Sequence, residues 1–329
     1  MTGKKVGITA VASYFPPNII TNDDLAKVMD TNDEWIRSRT GISQRHHAEP
    51  GLGASDLAIP ACREVLEKRG LTPEDIDCIL VATVTPDNMF PATACRIQSG
   101  LGATNAWGFD LSAACSSFLY ALSTGQALVA AGRSQRCLVV GVDVMSRIIN
   151  MEDRTTAVLF GDGAGVALLE EVESGGWIDA ELHIDGAGAE NLYMPAGGSR
   201  KPASAETVAN GEHYVHQNGR EVFKSAVREM AGVSVSLMEK HGKTNDDLAL
   251  FIPHQANIRI IEAAANRLNL PEEKIMLNID RRANTTSATL PSCMDEAVKT
   301  GRLKKGDLLL LATFGAGYTW GSALLEWSF

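Results

Sequence analysis

Three stretches, far apart in the chain, carry side chains whose types could do chemistry together. "GFDLSAACSSFLYALSTGQALVAAG" (108–132) places Cys115 between a short apolar run and a long helix-like one. "FIPHQANIRIIEAAANRL" (251–268) places His254 at the end of an apolar run, followed by Gln255, Asn257 and a helical pattern. "RRANTTSATLPSCMDEAV" (281–298) places Asn284 and two threonines before another helix-like segment. A thiol at a strand-to-helix junction meets unpaired N–H groups and the positive end of the helix dipole. Such a position can lower a cysteine pKa to about 3.5–7.5. The neighbours Ala113, Ala114, Ser116 and Ser117 are small, so a substrate could approach. A nucleophile also needs a base and an orienting group. His254 qualifies because sites gather at the C-terminal ends of strands in α/β folds. Asn284 reads either as part of an N-cap cluster or as an amide donor aimed at a carbonyl. Local pattern leaves Cys115 open between a buried structural thiol and a nucleophile.

Two glycine stretches invite a nucleotide reading, "GDGAG" (161–165) and "FGAGYTWG" (314–321). Neither follows the dinucleotide fingerprint or the phosphate-loop pattern. Both lie between strand-like runs and read as tight turns with close backbone approach, able to offer N–H donors to an oxyanion. His213 and His216 lie three apart without the companions a metal site needs.

The positioning elements alternate. "CILVATV" (78–84), "RCLVVGVDV" (136–144), "LALFIP" (248–253) and "DLLLLATF" (307–314) read as buried strands. Between them Ser55, Thr72 with Asp75, and Thr21 with Asp24 mark helix starts. This alternation predicts a layered α/β fold. The chain also repeats itself. "TPEDIDCILVAT" (72–83) lines up with "TNDDLALFIPHQ" (244–255), and "FGDGAGVALLE" (160–170) with "FGAGYTWGSALLE" (314–326). A diverged duplication accounts for both, with halves 1–172 and 173–329. The Gly-, Ala-, Ser- and Pro-rich segment 186–219 breaks the rhythm and reads as a cover over a site.

Composition bounds the function. The chain has 329 residues, 45% hydrophobic and 21% charged, with a formal net charge of −10. That charge offers no general attraction to nucleic acid or anionic membranes. No apolar run is long enough to span a bilayer, and the start, "MTGKKVGITAVASYFPPNII", reads as a first strand rather than a signal peptide. The six cysteines are scattered, without C-x-x-C, which suggests free thiols in a reducing cytoplasm.

Taken together, the ordered set "TNDEWIRSRTGISQRH", "DLSAACSSFLYAL", "RTTAVLFGDGAGVALL", "HQANIRII", "ANTTSATLP" and "FGAGYTWGSALL" resembles the β-ketoacyl-acyl-carrier-protein synthase III family, initiating condensing enzymes of bacterial fatty acid synthesis in the thiolase-like superfamily. The resemblance runs from about residue 5 to 329 and implies an α/β thiolase-like fold: two five-stranded halves stacked as a five-layered αβαβα sandwich, and a homodimer. It implies a Cys115–His254–Asn284 triad and an oxyanion hole from the backbone amides of Cys115 and Ala316. Relatives more often carry glycine at position 316, and some carry it at 283, where this chain has alanine. It further implies coenzyme A contacts at Thr31, Trp35, Arg39, Arg154 and Asn257, with Trp35 and Arg154 sandwiching the adenine. Phe90 would reach the partner subunit's acyl pocket, and Lys224 and Arg259 would meet the acidic acyl carrier protein. The implied reaction is a decarboxylative condensation of an acyl-CoA primer with malonyl-carrier protein, giving 3-ketoacyl-carrier protein, CoA and CO2, without metal or redox cofactor. In it His254 should turn a donor nitrogen to the substrate. A related condensing enzyme of secondary metabolism, making alkylquinolones, polyketide starters or ketones, could use the same triad. A Cys-His-Asn hydrolase would use the same residue types, and a non-catalytic binding protein would not need them.

Overall fold

Strands that are buried on both faces draw apolar residues at every position, and these runs form the inner strands of two sheets. The computed structural model describes residues 4–329. The first part runs β1 (Val6–Tyr14), a short pair β2 (Ile19–Thr21) and β3 (Gln44–His46) around helices α1 (Asn22–Leu25) and α2 (Asp33–Thr40), then α3 (Ala54–Arg69), β4 (Cys78–Ala82), α4 (Thr93–Leu101), β5 (Trp107–Leu111), α5 (Ser117–Ala130), β6 (Arg136–Val144) and β7 (Asp162–Glu171). The second part runs β8 (Gly176–Ile184), the pair β9 (Leu192–Tyr193) and β10 (His216–Gln217) around α6 (Ala205–Ala209), then α7 (Gly219–Lys240), β11 (Leu250–Pro253), α8 (Ile258–Arg267), α9 (Ile279–Arg282), α10 (Thr289–Lys299), β12 (Leu308–Gly315) and β13 (Thr319–Glu326).

The first sheet has the order β1-β7-β6-β4-β5, the second β11-β12-β13-β8. Their registers repeat. Cys78 pairs with Cys137 in parallel, as Leu250 does with Leu309; Arg136 pairs with Glu170 in antiparallel, as Leu308 does with Glu326. The second sheet departs from five strands. Its fifth position shrinks to one bridge between Phe251 and Ile275. The Oε1 of Gln255 then accepts from the amides of Asn278 (3.1 Å) and Ile279 (3.2 Å), so a side chain takes the donors a strand would have used.

Side-chain alternation builds the layers. On β4, Leu80 faces inward with Val139 of β6 and Phe118 of α5, and the same cluster holds Cys293 and Met294 of α10 and Leu311 of β12. Helices α5 and α10 therefore lie between the two sheets. Ile79 and Val81 face outward against Leu57 and Val65 of α3 and Ile97 of α4. On the far side Leu310 and Phe251 pack against Met230 and Leu237 of α7 and Ile261 of α8. The result is five layers. Each such buried aliphatic or aromatic side chain contributes about 1.5–3 kcal/mol.

The capping box at Thr21–Asp24 forms, and the Asp75 carboxylate accepts the Thr72 amide (2.8 Å) and hydroxyl (3.0 Å). Ser55 is not a cap. Helix α3 begins at Ala54, two residues earlier than a Ser55 cap implies, and the Asp87 carboxylate accepts from the Ser55 amide (3.1 Å) and hydroxyl (2.8 Å). "GDGAG" is also not a turn: β7 starts at Asp162. Its glycines serve close approach, since a Cβ on Gly165 would meet Pro291 of α10 at 2.6 Å and one on Gly163 would meet Phe15 at 2.9 Å. The cysteines are free, with Cys95 exposed and the other five buried. Among the described residues no helix is long and apolar enough to cross a membrane.

Candidate active site

Cys115 sits on a sharp elbow. After β5 the chain passes through Ala114 in the left-handed region (φ 50) and a single tight turn, Ala114–Ser116, before α5 starts at Ser117. The β12–β13 hairpin grips this elbow from the other half. Thr313 Oγ1 donates to the Cys115 carbonyl (3.0 Å), and Thr319 Oγ1 to the Ala113 carbonyl (2.7 Å). Gly315 lies so close that a Cβ there would be 2.7 Å from the Cys115 nitrogen. The Ala316 N–H donates to no group among the described residues.

His254 follows β11, whose pairing with β12 continues as the His254 amide donates to the Ala312 carbonyl (2.8 Å). Its ring is buried, with Nδ1 2.7 Å from Thr289 Oγ1. Thr289 Oγ1 is also 3.0 Å from the Thr286 carbonyl. A hydroxyl has one proton and a carbonyl only accepts. Both contacts are hydrogen bonds only if Thr289 donates to Thr286 and His254 donates Nδ1–H to Thr289. Nε2 is then a bare lone pair, and it has no hydrogen-bond partner among the described residues. In the resting enzyme the donor nitrogen thus faces Thr289, and Nε2 can donate to a substrate only after it has taken a proton. Burial pushes the His254 pKa down to about 3, so the ring is neutral.

Asn284 is clamped by backbone bonds on both sides, its amide to Leu159 O and its carbonyl to Gly161 N, each at 3.0 Å. Its Oδ1 accepts the Thr286 amide (2.9 Å). That bond assigns the side-chain orientation and leaves the Nδ2 hydrogens unused.

These three residues line one cavity of about 410 Å³, together with Trp35, Arg39, Arg154, Asn257, Phe223 and others. It leads from exposed Arg39 and Arg154 to buried Cys115. Cys115 also lines a second cavity of about 170 Å³, with Ala316, Val84, Met145, Ile148 and Met194 among its largely apolar walls. Burial pushes the Cys115 thiol up to about 12; the charge of Asp143 adds to this and the thiol's own amide opposes it. The expectation of a lowered pKa is thus overturned: desolvation outweighs the short turn's amides.

The family description "3-Oxoacyl-[acyl-carrier-protein (ACP)] synthase III" matches residues 109–186, and its C-terminal counterpart matches 238–327. A β-ketoacyl-[acyl-carrier-protein] synthase III of Solibacter usitatus is 54% identical over 329 residues, covering 99% of each chain. One from Caldanaerobacter subterraneus is 50% identical over 323 residues, covering 98% of each. The crystal structure of 3-oxoacyl-[acyl-carrier-protein] synthase III from Aquifex aeolicus superimposes with a TM-score of 0.90 at 40% identity, covering 98% of this chain and all of that one.

The chain belongs to the β-ketoacyl-acyl-carrier-protein synthase III family. It has that family's thiolase-like α/β fold and is an acyl-transferring condensing enzyme.

Within this synthase III fold the softer candidates divide. Trp35, Arg39, Arg154 and Asn257 reach the larger cavity; Thr31 is not in its wall. The Arg39 and Arg154 guanidinium carbons lie 4.7 and 5.2 Å from the Trp35 ring centroid. No aromatic ring fits between Trp35 and Arg154 at that spacing, so Arg154 must swing away from its bond to the Asp30 carbonyl (3.0 Å) to admit one. Asn257 caps α8, its Oδ1 accepting the Arg259 amide (3.0 Å). Arg259 donates to the Ser38 carbonyl (3.2 Å), and both it and Lys224 are exposed, Lys224 beside the cavity-lining Phe223. Phe90 is 86% exposed and lines neither cavity of its own chain. Segment 186–219 contributes Leu192 to both cavities, Gln217 and Gly219 to the larger one, and Tyr193, Met194 and Val215 to the smaller.

Sequence reasoning missed Thr289 and Asp143. Thr289 carries no distinguishing pattern. Asp143 did leave a signal, a lone carboxylate within the apolar run 136–144.

Proposed function

We propose that this synthase III loads an acyl group from acyl-CoA onto Cys115 and condenses it with malonyl-acyl carrier protein, initiating fatty acid synthesis. One observation carries the reading: Cys115, His254 and Asn284, from three distant stretches, line one cavity, and Cys115 opens behind into an apolar one. The larger cavity suits a pantetheine arm, and the apolar one a short acyl chain.

In the first half-reaction the Cys115 thiol passes its proton to the bare Nε2 of His254 as sulfur attacks the acyl-CoA carbonyl. The amides of Cys115 and Ala316 hold the resulting oxyanion. The bond from carbon to the CoA sulfur breaks, and CoA leaves as a thiolate that takes a proton from solvent. In the second half-reaction the proton-bearing Nε2 of His254 and Nδ2 of Asn284 donate to the malonyl thioester carbonyl. The malonyl carboxylate favours the charged ring. The C–C bond to that carboxylate breaks, CO2 departs, and the enolate carbon attacks the acyl-cysteine. Collapse breaks the bond to Cys115 sulfur, which recovers its proton from His254. No metal or redox cofactor enters this scheme.

Trp35, Arg39, Arg154, Asn257 and, more peripherally, Thr31 are assigned to coenzyme A. Exposed Lys224 and Arg259 supply a local positive surface for the acidic carrier protein on an otherwise acidic chain. A homodimer suits the exposed edge of β5, with Trp107 and Phe109, and the neighbouring Met89 and Phe90, since a long apolar edge left open invites pairing. Phe90 would then close the partner's apolar cavity. The halves 1–172 and 173–329 are read as copies of one ancestral unit, and the free thiols fit a reducing cytoplasm.

The test is an intact mass after incubation with acetyl-CoA or a branched acyl-CoA. A stable acyl adduct is expected, absent in Cys115→Ser, and discharged by malonyl-carrier protein with loss of CO2. No adduct with any short acyl-CoA would sink the reading.

A further inference from the structure

The two halves present the same elbow twice, and only one holds a cysteine. Ala114 (φ 50) and Thr286 (φ 53) are the left-handed residues that open α5 and α10. Ser287 therefore stands in the second half where Cys115 stands in the first. The strand registers give a matching pair: Asp143 of β6 stands where Gly315 of β12 does. Gly315 presses bare backbone against the Cys115 elbow. Asp143 presents a carboxylate to the Ser287 elbow.

That carboxylate is fully buried and fully engaged. Oδ2 accepts the Ser287 hydroxyl (2.6 Å) and amide (3.1 Å). Oδ1 accepts the amides of Val84 (2.8 Å) and Thr85 (3.2 Å) and the hydroxyls of Thr85 (2.9 Å) and Thr83 (3.1 Å). Burial pushes the Asp143 pKa up, while the bonds from Ser287, Val84 and Thr85 pull it down. The three backbone amides cannot be reversed, so the ionised form is the one whose oxygens are all matched to donors.

The elbow it holds carries Asn284, the donor assigned above to the malonyl carbonyl alone. Asn284 Oδ1 is tied to the Thr286 amide, whereas His254 is also held from β12 by its own amide's bond to the Ala312 carbonyl (2.8 Å). On the other side of the carboxylate, Val84 walls the apolar cavity. Resting on the function proposed above, we propose that Asp143 is a positioning residue for condensation: it fastens the second elbow, and with it Asn284, the donor used only in the second half-reaction, against the acyl-cavity wall.

The test separates the two half-reactions in Asp143→Asn. The amide keeps the shape but turns an NH2 toward obligate donors on one side. Acylation of Cys115 by acyl-CoA, followed by intact mass, is expected to stay within about threefold of wild type, while malonyl-carrier-protein decarboxylation falls about tenfold or more in kcat with little change in KM, as for a misplaced donor. Loss of the nearby charge should also move the pH profile of Cys115 alkylation to lower pH. If Asp143→Asn does not fold, Ser287→Ala decides; it removes one hydroxyl and should show the same split at about threefold. Unchanged decarboxylation in a folded variant overturns the proposal. Equal loss of both half-reactions also overturns it, marking a merely structural carboxylate. A wild-type enzyme that never acylates Cys115 sinks the functional reading instead.

Discussion

His254 donates its Nδ1–H to Thr289, whose Oγ1 lies 2.7 Å away, and so turns a bare Nε2 to the cavity that holds Cys115. Thr289→Val would leave that N–H buried without an acceptor, at a cost of about 1–3 kcal/mol, and free the ring to change tautomer. Overall kcat should fall about tenfold, and Thr289→Ser should restore most of it. A fully active Thr289→Val enzyme would show that the tautomer does not matter.

Asn284→Asp keeps the oxygen that accepts from Thr286 but removes the Nδ2 donors and adds charge where the enolate forms. Acylation should survive, and decarboxylation should fall by about 10²–10³, the share of one oxyanion donor. Half-reaction assays with the acylated variant check this; equal losses in both would contradict the assignment.

Burial pushes the Cys115 thiol up to about 12. The alkylation rate of the free enzyme should therefore climb about tenfold per unit between about pH 6 and 9, tracking the thiolate fraction. A plateau with a midpoint near neutrality would mean that the helix start, not desolvation, controls the thiol.

Gly315→Ala places a methyl 2.7 Å from the Cys115 nitrogen, against backbone that cannot yield. The elbow must shift, and a shift near 1 Å can cost about 10²-fold in rate. Acyl-adduct formation should slow accordingly and Tm should drop; normal loading kinetics would refute this close approach.

The neutral, buried histidines predict acid sensitivity. His254 is lowered to about 3, and burial also lowers His46 and His47. The unfolded chain binds these protons first as pH falls below about 6.5, so stability present above that value is lost toward the folded pKa. His254 alone should account for about 2 kcal/mol between about pH 6.5 and 5, at about 1.4 kcal/mol per unit. Urea unfolding at the two pH values measures it, and His254→Gln should remove that share of the slope.

Much of the frame was legible in the chain. The run 136–144 reads as a strand because both its faces are buried, and it is β6 residue for residue. The box at Thr21–Asp24 and the short turn at Thr72–Asp75 are local chemistry, closed within three residues, and they form as read. The three chemical side chains could be named because each sits beside a strand end or helix start. What misled was supplied from far along the chain. Asp87 accepts from the Ser55 amide and hydroxyl inside α3, Gln255 takes the amides of a fifth strand, and Pro291 explains Gly165 inside β7.

Residue type and local pattern thus determined which groups could react and which elements would carry them. Tertiary structure alone decided their states. Burial beside Asp143 sets the Cys115 thiol, Thr289 sets the His254 tautomer, and the Thr286 amide orients Asn284. Ionisation and hydrogen-bond direction depend on solvent exclusion and on partners within about 3 Å in space, and distance along the chain does not encode either.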